Sequence, residues 1–157
     1  MEQVVLAIGA DHRGFALKEA IKKEVGLVFG VTVDLSVNVS LEFIDCGAPS
    51  AERSDYPIYA QRVCEILLSG RAARGVLICG TGAGMAMAAN RHRGIYAAVA
   101  WNREVARRVR EEDHCNVLVL PADYLSVADA MLILREWLES KAQLGRYAER
   151  VKMLDKV

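Results

Sequence analysis

Four short apolar runs limit what this chain can fold into more than any other feature. Residues 4–8, 76–79, 95–100 and 117–120 are too brief for helices and too continuous for half-exposed strands, so they read as strands buried on both faces. Between them lie segments with helical spacing: Phe15, Leu17, Ile21 and Val25; Ile58, Val63, Leu67 and Leu68; Val105 and Val109; Leu125, Ala128, Met131, Leu132 and Leu138. Each carries one apolar stripe. Asp55 is placed to cap a helix with Pro57 in its first turn, and Ser69 and Gly70 are placed to end it. Strand and helix repeating with short connections predict an α/β three-layer sandwich around a mostly parallel sheet of about five strands. Ligands of such folds bind at the carboxyl ends of the strands.

Residues 31–43 follow a different rule. Val31, Val33, Leu35, Val37, Val39, Leu41 and Phe43 alternate with Thr32, Asp34, Ser36, Asn38, Ser40 and Glu42, a period of two. The run exceeds the usual strand of ~5–6 residues. Either a hairpin bends near 36–40 or one long edge strand turns its polar face to water or to a partner chain. The basic segment 141–156 reads as a final helix (about 145–155) carrying Leu144, Tyr147, Val151 and Leu154.

With 157 residues, 53% of them hydrophobic and 25% charged, residues 1–157 form one domain with material for a core. Twenty basic residues balance twenty acidic ones, so no global field draws the chain to nucleic acid or an anionic membrane. An anion site must be local. The opening MEQVVLAIGADHRGF has no basic leader and only a short apolar run, so neither signal peptide nor membrane span is expected. Cys46, Cys64, Cys79 and Cys115 lie far apart with no CxxC pair, which predicts free thiols in the cytoplasm. His12, His92 and His114 are isolated from them in sequence, and no metal or cofactor is expected.

The strand at 76–79 runs into CGTGAGMAMAAN, residues 79–90. Gly80, Gly82 and Gly84 let the backbone approach a ligand closely, and the Ala/Met stretch beyond them forms helix readily. Main-chain N–H groups there suit developing negative charge. Met85 stands where a dinucleotide fingerprint needs its last glycine, and no Lys-Ser/Thr follows, so a nucleotide loop fits less well. Cys79 is either a base, favoured by a nearby helix amino end, or a small buried residue at a strand end. Thr81 either meets a ligand or ties down the turn. Asp11, His12 and Arg13 follow the first strand, on the same sheet edge as the Cys79 loop; a capping or surface role is their alternative. Arg146 and Arg150, four apart, share one helix face that suits a phosphate or merely water.

The run ADHRGFALKEAI, the SDYP at 54–57, CGTGAGMAMAANRHRGI, the NVLVL starting at Asn116 and the tail GRYAERV together resemble the ribose-5-phosphate isomerase B family, which includes galactose-6-phosphate isomerase subunits. The likeness covers nearly the whole chain. It implies a Rossmann-like sandwich and a metal-free homodimer or homotetramer whose active site is completed by the neighbouring subunit, contacted through the C-terminal helix. Carried over position by position, it makes Cys79 the base that moves a proton between carbons 1 and 2 of an open-chain sugar phosphate. Thr81 and the amides of Gly80, Gly82 and Gly84 would hold the enediolate oxygen. Asp11 and Tyr56 would contact sugar hydroxyls, with Asn116 near the same pocket. His12, Arg146 and Arg150 would take the phosphate, the arginines from the partner chain. The implied reaction is aldose–ketose isomerisation, ribose 5-phosphate to ribulose 5-phosphate. A hexose 6-phosphate or tetrulose 4-phosphate isomerase and a noncatalytic sugar-phosphate-binding subunit are the alternatives.

One stretch departs from the family pattern. A histidine assigned to opening the furanose ring, and an asparagine that helps bind the intermediate, usually precede the residue matching Asn116. Here Glu112 and Asp113 take their places and His114 follows. Either Glu112 or His114 supplies the acid–base group, or the substrate needs no ring opening, as for a tetrulose bearing a terminal phosphate.

Overall fold

The computed structural model describes residues 2–29 and 39–157. In chain order its elements are β1 (Glu2–Ala10), α1 (Phe15–Phe29), β2 (Val39–Asp45), α2 (Tyr56–Leu68), β3 (Arg74–Cys79), α3 (Ala83–Ala89), β4 (Ala97–Val99), α4 (Arg103–Glu111), β5 (Val117–Pro121), a 3₁₀ turn (Ala122–Tyr124), α5 (Val127–Glu139) and α6 (Arg146–Leu154). The strands are all parallel, in the order β2-β1-β3-β5-β4.

Alternation along each buried strand divides the core in two. Leu6, Ile8, Ala10, Val76, Ile78, Leu118 and Leu120 face Leu17, Ile21 and Val25 of α1, Ala106 of α4 and Ile133, Leu134 and Trp137 of α5. Ala7, Leu77, Cys79, Val117 and Val119 face Tyr59, Ala60, Val63 and Cys64 of α2 and Met85 and Ala89 of α3. With both faces covered, the buried positions of β3 that follow the half-buried Arg74, and all of β5, are nonpolar, which explains their apolar runs.

The expected three-layer α/β sandwich is therefore present, with four local corrections. Only Ala97–Val99 of the run 95–100 is strand, and all three residues are half-buried because β4 is a sheet edge. Asp55 occupies the cap position of α2, yet its side chain makes no capping bond; its carbonyl accepts from the Ile58 amide at 3.2 Å. Leu125 and Leu144 fall outside the helices. Of the alternating run, Val39–Asp45 forms an edge strand beside β1, and 31–38 lies outside the described residues.

One buried charge ties the second strand to the first helix. Lys18 on α1 is 1% exposed, and its ammonium donates to Asp45 Oδ1 at 2.8 Å and to the Ala48 carbonyl at 2.7 Å. The β1–β2 pairing continues past Asp45, with Ala10 N to Gly47 O at 2.8 Å and Ala48 N to Ala10 O at 2.7 Å, so this anchor also steadies the end of β1. Partial burial pushes the Asp45 carboxyl up, but bonds from Lys18, Lys22 and the Gly47 amide outweigh it and leave the group below its ordinary 3.8. Asp45→Asn should cost roughly 2 kcal/mol, less than the ~3–5 of a fully buried pair because Asp45 is partly exposed. A lowered carboxyl stabilises the fold above its unfolded pKa, and that contribution is lost as pH falls through the folded value. Urea unfolding should therefore give the full difference between wild type and variant at pH 7 and a shrinking one below about pH 4; a gap that stays constant into acid would show that the charge is not its source.

Candidate active site

Register decides which loops meet. Ala10 of β1 pairs with Ile78 of β3, and Cys79 pairs with Pro121 of β5, so the segments following these three strands converge at one edge. The Asp11 amide donates to the Ile78 carbonyl at 3.3 Å, carrying the contact beyond the strand. Asp11 is 5% exposed, and its Oδ1 accepts from the amides of Arg13 at 3.0 Å and Gly14 at 3.1 Å, shaping the turn into α1. His12 Nδ1 lies 3.1 Å from the Ser54 carbonyl oxygen and 3.3 Å from the Ser54 amide, which joins this turn to the chain entering α2.

Cys79 ends β3 on the α2–α3 side of the sheet, and only 4% of it is exposed. Gly82 caps α3 with φ +79°, a left-handed conformation that glycine adopts without strain. The Thr81 hydroxyl accepts from the Ala83 amide at 3.3 Å, and Thr81 itself is exposed. The amide of Gly84 belongs to the first turn of α3, where the helix offers no acceptor. The three glycines leave room for close neighbours, as expected, but the nearest neighbours are this chain's own side chains. A Cβ on Gly84 would sit 2.8 Å from the Tyr56 ring, and one on Gly80 would sit 2.7 Å from the Arg13 guanidinium carbon and 2.9 Å from an Asp123 carboxylate oxygen. Tyr56 therefore leans over the loop from the start of α2. Arg13 pairs with Asp123 directly above Gly80, and the Asp123 amide donates to the Gly80 carbonyl at 3.1 Å. Sequence reading singled out Arg13 only as part of its turn and missed Asp123.

The remaining expected site residues stand at the opposite edge of the same chain. Asn116 precedes Val117, which pairs with Gly75 at the start of β3, roughly 13 Å along the strands from Cys79. Its side chain accepts from the Tyr96 amide at 2.8 Å and donates to the Gly94 carbonyl at 2.9 Å, so Asn116 ties β5 to the approach to β4 and does not share a pocket with this chain's Cys79. Glu112 ends α4 in a two-point pair with Arg108, at 3.1 and 3.3 Å. Asp113 is exposed on the wall of a cleft of about 630 Å³ that also takes in Arg91, Arg93, Tyr96, Cys115 and Asp155. His114, at φ +54°, places Nε2 2.7 Å from the Gln143 carbonyl oxygen and holds the approach to α6. On α6, Arg146 and Arg150 lie 5.1 and 6.0 Å from the Tyr147 ring. The Arg146 pKa is raised, first by its hydrogen bond to the Tyr147 hydroxyl and further by the charges of Tyr147 and Glu112.

Burial pushes Cys64 and Cys115 up to about 11 and also raises Cys46. Among the described residues no three His, Cys, Asp or Glu side chains gather as metal ligands, and no helix is long and apolar enough to cross a membrane.

Comparison with known proteins adds to this geometry. Residues 6–154 match the model of a family described as Ribose/Galactose Isomerase. Ribose-5-phosphate isomerase B of Escherichia coli is 35% identical over 149 residues, covering 95% of this chain and 93% of that one. The crystal structure of a ribose 5-phosphate isomerase from Thermotoga maritima superposes with a TM-score of 0.89 at 38% identity, covering 98% of this chain and 99% of that one. A Mycoplasma genitalium ribose-5-phosphate isomerase B, solved with bound ribulose-5-phosphate, gives 0.85 at 26% identity over 99% and 97%. The chain belongs to the ribose/galactose isomerase family and is an aldose–ketose isomerase.

Proposed function

We propose that this protein interconverts ribose 5-phosphate and ribulose 5-phosphate, with Cys79 as the base. The observation that carries the reading is the convergence of Cys79, Thr81, His12 and Tyr56 on one strand edge, in a chain so similar to enzymes named for that substrate. The Cys79 thiolate takes the proton from C2 of the open-chain aldose, leaving an enediolate, and returns it to C1 while the hydroxyl proton passes from O2 to O1, which gives the ketose. The proton is weakly acidic, so a placed base and fixed donors must act together. Thr81 and the amides of Gly80, Gly82 and Gly84 receive the oxygen charge, and Asp11 and Tyr56 meet the sugar hydroxyls. A thiol only 4% exposed is shielded from bulk water, which protects a reactive intermediate.

In this reading the phosphate goes to His12 and to Arg146 and Arg150 of a second copy. The two sheet edges of one chain cannot supply both halves, and apolar side chains are left uncovered near each: Tyr124 is 73% exposed at the Cys79 edge, and Leu144 is 80% exposed beside α6. Asn116 and Asp113 come with the second copy's half. A homodimer then carries two shared sites, and a tetramer built from two such dimers carries four. The free thiols suit the cytoplasm.

A tetrulose 4-phosphate is the second reading. His114 is engaged with Gln143 and Glu112 with Arg108, so neither side chain stands open for ring opening in the single chain.

Three measurements check these statements. On a panel of four-, five- and six-carbon sugar phosphates, ribose 5-phosphate should give the highest kcat/KM; preference for erythrulose 4-phosphate would select the second reading, and no turnover of any would exclude the reaction. Cys79→Ala should lose about 10²–10⁴-fold in kcat with binding of sugar phosphate kept, whereas near-normal turnover would put the base elsewhere. Mixing refolded Cys79→Ala with Arg146→Ala/Arg150→Ala chains should restore about a quarter of wild-type activity, because half of the dimers then hold one intact shared site. A site contained in one chain would regain nothing.

A further inference from the structure

Arg13 stands in an unusual place for a surface cation. It leaves the turn after β1, crosses above the end of β3 and pairs with Asp123 in the 3₁₀ turn after β5. The span links three strand ends that the sheet order sets side by side. Its guanidinium lies against Gly80, the residue directly after Cys79, closely enough that a methyl group there would collide with it.

Stability does not account for the arrangement. The Arg13 side chain is 54% exposed and that of Asp123 is 32% exposed, and pairs open to solvent contribute little to folding. The pair as placed nevertheless occupies the space that a side chain at position 80 would need. Asp123 takes one terminal nitrogen of the guanidinium, and the others have no protein partner among the described residues. Asp123 is itself fixed at its amide by the Gly80 carbonyl, so the cation is held from a rigid point.

We propose that Arg13 contacts the substrate at its reacting end, donating to the oxygens on C1 and C2, and that Asp123 is its positioning residue. The inference rests on the isomerase reading above. A phosphate three carbons beyond C2 belongs farther from Cys79, whereas a guanidinium over Gly80 is one residue from the base. Arginine does not give up its proton near neutral pH, so Arg13 supplies fixed charge and hydrogen bonds while Cys79 moves the proton. Charge that develops on the oxygens during proton removal meets a cation already in place, which favours the transition state over the bound sugar.

The test compares Arg13→Met, Arg13→Lys and Asp123→Asn with the wild type in steady-state kinetics with ribose 5-phosphate. It adds calorimetric binding of a phosphorylated four-carbon hydroxamate, whose paired oxygens mimic the enediolate, and inhibition by inorganic phosphate. Arg13→Met should lower kcat at least thirtyfold with KM changed less than threefold, and should weaken hydroxamate binding at least tenfold, while inhibition by inorganic phosphate stays within twofold. Arg13→Lys should recover tenfold of the lost kcat, and Asp123→Asn should fall between wild type and Arg13→Met. Loss of phosphate inhibition together with hydroxamate binding would make Arg13 a phosphate ligand and overturn the assignment. So would equal activity of the Lys and Met variants, or hydroxamate binding unchanged by either. Wild-type turnover judges the isomerase reading separately: if the wild type binds the hydroxamate without turning over ribose 5-phosphate, the reaction is wrong, and the binding ratio between wild type and Arg13→Met still decides the contact.

Discussion

The pairing of β1 with β3 is the contact on which the site depends. Its register sets Ala10 beside Ile78, and the bond from the Asp11 amide to the Ile78 carbonyl extends it by one residue. That places the Asp11–His12–Arg13 turn against the Cys79 loop before any side chain is considered. It is also where the topology reverses: the chain goes from β1 outward to β2 on one side, and β3 starts the other half. A crevice opens at such a point because the connections leave in opposite directions. The buried Lys18–Asp45 anchor and the extension of the β1–β2 pairing to Ala48 fix the outer side of the same turn.

A parallel sheet covered on both faces leaves only its two edges for polar chemistry. In this chain the edges differ in kind. The carboxyl edge holds a thiol, main-chain donors, a histidine and the Arg13–Asp123 pair, while the amino edge holds Arg108, Glu112, Arg146 and Arg150. Within one chain the thiol and these four charged side chains do not meet at one edge. Each edge also leaves large apolar side chains exposed, Tyr124 at one and Leu144 at the other.

Legibility in the sequence followed the strength of each physical constraint. Strands β1, β3 and β5 were readable because burial on both faces demands unbroken apolar runs, and the helices between them because one apolar stripe faces the sheet. At the edge the signal weakened: β4 keeps three strand residues out of six apolar ones, since only one neighbour holds it. Asp55 had the composition of a cap without its bond, because the local signal names a residue type and not a rotamer. In the site, the Cys79 loop and the Asp11–His12 turn could be placed on one edge from fold rules alone. The Arg13–Asp123 pair could not, as its members stand 110 residues apart and neither carries a local pattern. Asn116 satisfies two backbone groups of its own chain, the commonest duty of a polar side chain near buried strands.

Gly80 shows why a glycine-rich loop is an ambiguous sign. Glycine beside a strand end can mean that a ligand approaches the backbone, or that another part of the protein does. At Gly84 the neighbour is the Tyr56 ring and at Gly80 it is the Arg13–Asp123 pair, so the side-chain space over both is already filled from within. The amides are a separate matter, because a glycine N–H points elsewhere than its missing Cβ. A loop can thus be packed by its own protein's side chains and still keep its N–H donors for a substrate. Close packing then fixes the direction of those donors, and fixed dipoles are worth more to a transient oxyanion than mobile ones because they need no reorganisation when the charge appears.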